Sequence, residues 1–245
     1  MTLEALALPA DTSFKTQDRT ETYERATLQE IGQIIAGRAG ITLFFEAADV
    51  TIEKVEQNSQ NDCDFYCGLV DKYDLALKIY GDKLVVFSEA EYEAKAVKAI
   101  LTPADFGPGW SWNRSTTGTY TGVKYQYTNS DKNKTFTVEA GDPIRLLTVN
   151  EPADNLTEAT AIALAAVNKA NRGAVTMSIT MKARPGLIAS DLVEIRGLKK
   201  LDGIYYIETV THTVGSGYKM TLDLRRVEPR ITSATSVAST VAEGR

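Results

Sequence analysis

Ala174-Val175-Thr176-Met177-Ser178-Ile179-Thr180-Met181-Lys182-Ala183 is the stretch that decides the fold class. Val175, Met177, Ile179 and Met181 alternate with Thr176, Ser178, Thr180 and Lys182. Successive side chains of a strand point to opposite faces, so this period of two predicts a half-buried strand with one apolar face. Further strands follow toward the C-terminus at 192–196, 203–213 and 218–227, with glycines between them.

On the N-terminal side lies one helix. Glu151-Pro152 precedes it, Asn155 with Glu158 can cap it, and it ends near Asn171-Arg172-Gly173. Leu156, Ile162, Ala163, Ala166 and Val167 line its apolar side, and so much alanine predicts close packing on a sheet. Before that helix, 110–113, 118–129 and 134–140 read as strands, and 129–133 as a polar turn. Tyr120, Val123, Tyr125 and Tyr127 supply the aromatic and β-branched content that strands favour. Many short strands with glycine turns predict a small barrel or sandwich. Residues 231–245 are rich in Ser, Thr and Ala, the composition of a linker or tail.

The first third of the chain has a different character. Residues 1–26 pair an apolar opening (Leu3, Leu6, Leu8) with a polar stretch, and read as a strand or loop. Thr27 and Glu30 then form a capping box, Leu28, Ile31, Ile34 and Ile35 recur at helical spacing, and Gly40 closes the helix. A short apolar strand at 41–46 and a weakly alternating one at 50–57 follow. A second helix runs over about 62–73 with Phe65, Tyr66, Leu69, Val70 and Tyr73 as its apolar positions, and Gly68 marks a close helix contact. Leu75, Leu77 and Ile79 lead into a Gly81-Asp82 turn and a return through Leu84, Val85, Val86 and Phe87. Glycine first in a two-residue loop suits a type II′ hairpin. Charged residues, Pro103, Gly107 and Pro108 then weaken the pattern, and a boundary is expected near Lys98.

The 245 residues carry a formal charge of -5 and 43% hydrophobic content. That balance opposes a general nucleic-acid binder or a polybasic membrane-surface role, both of which need clustered Lys and Arg. No apolar run approaches the roughly 20 residues of a membrane span, and 1–13 have no signal-peptide pattern. Cys63 and Cys67 are the whole thiol inventory. Their i,i+4 spacing does not favour a disulfide and no second pair closes a zinc site, so they read as small apolar residues of a buried helix face in a reducing compartment.

His212 is the single histidine, which removes most acid–base and triad schemes, and its Thr-rich strand suits a structural or surface role. Nucleophile-elbow, phosphate-loop, dinucleotide and zincin motifs are all missing. Asp62 and Asp64 complement a helix N-terminus, and Glu89, Glu91 and Glu93 read as a solvated charge run. Trp110-Ser111-Trp112 reads as core or interface ahead of a stacking platform. No catalytic, cofactor-binding or metal-binding residue is therefore assigned, no cofactor is expected, and the chain reads as a non-enzyme.

Several segments together resemble one family. Thr27-Leu28-Gln29-Glu30-Ile31 through Gly40-Ile41-Thr42-Leu43, then Gln57-Asn58-Ser59-Gln60-Asn61-Asp62-Cys63-Asp64-Phe65, then 69–78 and 83–87 are similar to the late control D proteins, hubs of contractile phage tail baseplates. Ala183-Arg184-Pro185-Gly186-Leu187, 191–195 and 202–207 through Gly217-Tyr218-Lys219-Met220-Thr221-Leu222 look like that family's C-terminal barrel. The resemblance implies an α+β, mainly β chain. A tube-like C-terminal β-barrel with one packed helix would occupy 98–230, after a small α/β (LysM-like) subdomain at 27–97 and a partial first-barrel segment at 1–26. It also implies a homotrimer in a virion or phage-like particle, made in the host bacterial cytoplasm. Its partners would be the tail tube protein, the central spike and other baseplate proteins, with no nucleic-acid recognition and no membrane insertion. The hub plan is shared with type VI secretion spike proteins. An edge strand left open by the short first barrel needs a partner chain, and Tyr120, Tyr125 and Tyr127 would serve as interface aromatics. The alternatives are a LysM-like peptidoglycan-binding tail module and a cell-wall hydrolase component with a carboxylate dyad.

Overall fold

A computed structural model describes residues 13–80, 82–130, 132–215 and 217–240. Leu3, Leu6 and Leu8, the turn glycine Gly81 and the last five residues of the Ser/Thr/Ala segment lie outside these ranges. The chain divides into two compact units, Met1–Glu89 and Ala90–Arg245. It is mainly β with a few helices, an α+β protein.

In the first unit a short α1 (Ser13–Thr16) leads into β1 (Asp18–Thr27), α2 (Leu28–Arg38), β2 (Thr42–Glu46), β3 (Thr51–Asn61), α3 (Asp62–Lys72), β4 (Leu75–Tyr80) and β5 (Lys83–Ser88). β1 and β3 form a long antiparallel ribbon, and β2, β5 and β4 a three-stranded sheet in that order. The capping box at α2 is present: Glu30 N–H donates to Thr27 Oγ1 at 3.2 Å, and Thr27 N–H to Glu30 Oε2 at 2.8 Å. Leu28, Ile31 and Ile35 are fully buried, but Ile34 falls off the stripe and is 45% exposed. The close helix contact belongs to Gly32 and not to Gly68. A Cβ on Gly32 would sit 2.1 Å from Tyr66 Oη, whereas Gly68 faces open space. The phenol end of Tyr66 fills the space beside that glycine, and its hydroxyl donates to the Leu28 carbonyl at 3.0 Å. This is how a phenol is buried without an unpaired polar atom.

The second unit holds α4 (Glu89–Glu93) at its start, then β6 (Ala99–Leu101), β7 (Ser111–Arg114), β8 (Gly122–Asn129), β9 (Lys134–Gly141), β10 (Leu146–Val149), α5 (Leu156–Asn171), β11 (Val175–Lys182), β12 (Leu192–Ile195), β13 (Gly203–Val214), β14 (Tyr218–Arg226) and β15 (Ala234–Thr240). One sheet runs β6-β12-β13-β14-β11-β7 and the other β10-β8-β9-β15. The alternation at 175–181 is β11, with all four apolar side chains at most 3% exposed. Each such burial contributes about 1.5–3 kcal/mol. They join Leu101, Val193, Ile195, Tyr205, Ile207, Met220, Leu222 and Leu224 in a single apolar cluster.

Both edges of the six-stranded sheet, β6 and β7, come from one segment, and Phe106 between them bridges to Met181 of β11. Among the described strands β6 and β7 do not pair with each other, so the expected closed barrel is not formed by backbone pairing. α5 packs on the four-stranded sheet, as its alanines predict: Ala159, Ile162, Ala163 and Val167 are at most 1% exposed. The segment expected as a linker or tail is in part β15, antiparallel to β9 from Ala234↔Ala140 to Thr240↔Lys134. Composition hides it because the strand is mostly exposed; backbone pairing holds it, and little apolar burial does.

Candidate assembly surfaces

The side chains that carry chemistry elsewhere are committed here to structure. Asp62 is 1% exposed and accepts from Arg19 Nε at 3.2 Å, Arg38 at 3.3 Å and Gln57 Nε2 at 2.9 Å. It thus ties the β1–β3 ribbon to α2 and α3, a larger task than complementing a helix end. Asp64 N–H is held by the Asn61 cap at 2.9 Å. Cys63 and Cys67 are free thiols. Burial pushes the Cys67 thiol up to about 12 and raises that of Cys63, so both stay protonated and unreactive at neutral pH.

Glu93 departs from the solvated charge run expected of it. Its side chain is 5% exposed and takes Arg225 at 2.6 Å and Arg230 at 3.0 Å. Arg225, 3% exposed, also meets Glu208 at 3.3 Å and lies over the Tyr206 ring at 4.3 Å. Sequence reasoning missed this network because its partners are more than a hundred positions apart. His212 stands on the exposed end of β13, with Nδ1 3.0 Å from Tyr218 Oη. Trp110 packs against the apolar cluster, while Trp112 is 51% exposed. Tyr125 is fully buried and donates to the Glu151 carbonyl at 2.5 Å, so it is no interface aromatic; Tyr120 and Tyr127 are half-buried. Tyr125 is buried on the face opposite exposed Lys124 and Gln126. Among the described residues no three His, Cys, Asp or Glu are grouped to hold a metal, and no helix is long and apolar enough to cross a membrane.

What the second unit does present is strand edge. Of β13, β12 covers only Gly203–Tyr206. From Glu208 to Val214 no described strand lies on the outer side of β13, and beyond Glu208 the stretch has no Lys, Arg, Asp, Glu or Pro. β15, Ala-Thr-Ser-Val-Ala-Ser-Thr, forms an uncharged edge of the other sheet. Edges without charge, proline or cover are templates for pairing with another chain. Exposed apolar side chains stand near them, Val214 at 81% and Val237 at 57%.

Comparison with solved structures places this architecture. The 43 kDa tail protein of prophage MuSo2 from Shewanella oneidensis is similar over 84% of this chain and 65% of its own, with a TM-score of 0.63 at 13% identity. A tail protein from Neisseria meningitidis matches over 85% and 69%, with a TM-score of 0.67 at 14% identity. The chain has the fold of phage tail proteins. An Escherichia coli component of the type VI secretion system, itself described as similar to bacteriophage T4 tail proteins, matches over 88% of this chain and 52% of its own, with a TM-score of 0.54 at 10% identity. The chain thus spans about two thirds of the two tail proteins and about half of the secretion component. No protein-family model matches the chain, and no curated protein does.

Proposed function

We propose that this tail-fold protein is a non-enzymatic structural part of a phage tail or phage-like injection particle. Within it the chain acts as a baseplate hub that adapts a sixfold tube to a trimeric spike. The observation that carries the reading is the likeness to tail proteins over more than four fifths of the chain. The uncovered edges at Glu208–Val214 and β15 support it, because a protein built for assembly leaves pairing capacity at its surface. Its partners are other tail proteins and further copies of itself.

Native mass spectrometry of the purified full chain tests the oligomeric part. A cyclic trimer of the 26.8 kDa chain gives a species of about 80 kDa. A strict monomer that binds peptidoglycan would replace this reading with that of a wall-binding module.

A further inference from the structure

A cleft of about 260 Å³ opens in the second unit where the segment linking the two sheets crosses from β7 to β8. Its lining includes Arg114, Arg145, Arg226, Thr119, Tyr120 and Glu228. Three arginines against one carboxylate leave a local charge of about +2, in a chain whose formal charge is -5.

The three arginines are not equivalent. Arg226 is spoken for: Nε donates to Glu228 at 2.8 Å, and NH1 reaches the Lys200 carbonyl at 3.4 Å. Arg145 lends two of its five N–H donors to the linking segment, NH1 to the Thr116 carbonyl at 3.2 Å and NH2 to Thr119 Oγ1 at 2.6 Å. Arg114 is exposed at the end of β7, and its side chain makes no hydrogen bond or ion pair among the described residues. Neither Arg114 nor Arg145 has a carboxylate partner there.

The walls of the cleft are held before any ligand arrives. Thr119 Oγ1 donates to the Thr116 carbonyl at 3.0 Å, and Ser115 Oγ accepts from Thr117 N–H at 3.2 Å. Asn171 clamps the Tyr120 peptide from both sides: its Oδ1 accepts from Tyr120 N–H at 2.7 Å and its Nδ2 donates to the Tyr120 carbonyl at 2.9 Å. Two guanidinium forks with spare donors, on a fixed frame, suit planar oxyanions taken in pairwise hydrogen bonds. Fixed donors also lower the ordering cost of binding.

We infer that this cleft is a receptor for an acidic side chain, or a short acidic segment, of a partner protein. The volume fits one or two side chains and is below the usual size of a small-molecule pocket. The net negative charge of the chain opposes a nucleic-acid strand, which extends far beyond two arginines. The inference does not depend on the hub reading, since any acidic partner satisfies it.

The test titrates the full chain with blocked hexa-glutamate by calorimetry, with hexa-glutamine, inorganic phosphate and a single-stranded oligonucleotide as parallel arms. The Nε–H signals of Arg114 and Arg145 are followed by NMR. Hexa-glutamate is expected to bind one to one, to shift both arginine signals, and to weaken as salt is raised. Arg114→Gln is expected to lower that affinity roughly tenfold while leaving the unfolding midpoint unchanged, because the change keeps the β7 backbone pairing and the lost guanidinium has no partner among the described residues. Three results would overturn the inference: equal binding of hexa-glutamine, tighter binding of phosphate or of the oligonucleotide, or hexa-glutamate affinity that Arg114→Gln leaves untouched.

Discussion

Glu93→Ala is expected to destabilise the second unit by about 3–5 kcal/mol, the usual cost of breaking a buried ion pair from one side. The carboxylate holds two guanidiniums, Arg225 at 2.6 Å and Arg230 at 3.0 Å, and both Glu93 and Arg225 are almost fully removed from water. Without it, Arg225 loses its closest carboxylate, and Glu208 at 3.3 Å is itself half in solvent. Both arginines then lose the carboxylate they share. The anchorage also matters for topology. Glu93 stands near the start of the unit, while Arg225 is the last residue but one of β14 and Arg230 precedes β15, so one side chain fastens entry and exit. Urea denaturation of the full chain measures the loss as a lowered midpoint. Arg225→Met with Glu93→Leu should recover part of the stability, because removing the most deeply buried pair removes its desolvation cost, while Arg230 still loses its carboxylate. A Glu93→Ala loss below about 1 kcal/mol, the range of surface pairs, would mean that the network is not buried in solution.

Gly141→Ala is expected to be the second severe change, about 3 kcal/mol or more. Gly122 and Gly141 face each other across the β8–β9 ladder, and Gly122 also sits opposite Leu146 of the parallel strand β10. A Cβ on Gly141 would stand 2.4 Å from the Thr121 carbonyl oxygen and 2.8 Å from Gly122 Cα, at φ +76°. One on Gly122 would stand 2.5 Å from the Ala140 carbonyl oxygen. These neighbours are backbone and cannot turn aside, so the strands must separate where three of them meet. Gly173→Ala is the matched control: its Cβ meets nothing within 4 Å and its φ is ordinary, so it should be near neutral. Thermal unfolding of the three proteins decides. Equal midpoints for Gly141→Ala and Gly173→Ala would refute the close approach of β8 and β9.

The sequence carried the elements whose signal is local. Alternation at 175–181, the Thr27–Glu30 capping box, the Asn155 cap and the alanine-rich face of α5 are each set by neighbours a few positions apart, and each stands in the fold. Signals that depend on distant partners were not legible. β10 is four residues long and parallel, so no hairpin pattern announces it. β15 has the composition of a tail and gains its structure from the edge of β9. Gly32 and Gly68 are both helical glycines, and only the position of Tyr66 tells them apart. The same holds for surfaces. Tyr125 and Tyr127 alternate with polar residues identically, yet one is fully buried and the other half-buried. The arginine cleft draws on residues from 114 to 229, and no stretch of sequence contains it.

Stoichiometry tests the proposed hub role most directly. Particles purified from the cells that make this chain can be counted by quantitative mass spectrometry, with the chain measured against the tube subunit and the spike. A symmetry adaptor predicts three copies per particle, equal to the trimeric spike and independent of tube length. Copies that rise in proportion to the tube subunit, or a chain missing from the particles, would contradict it.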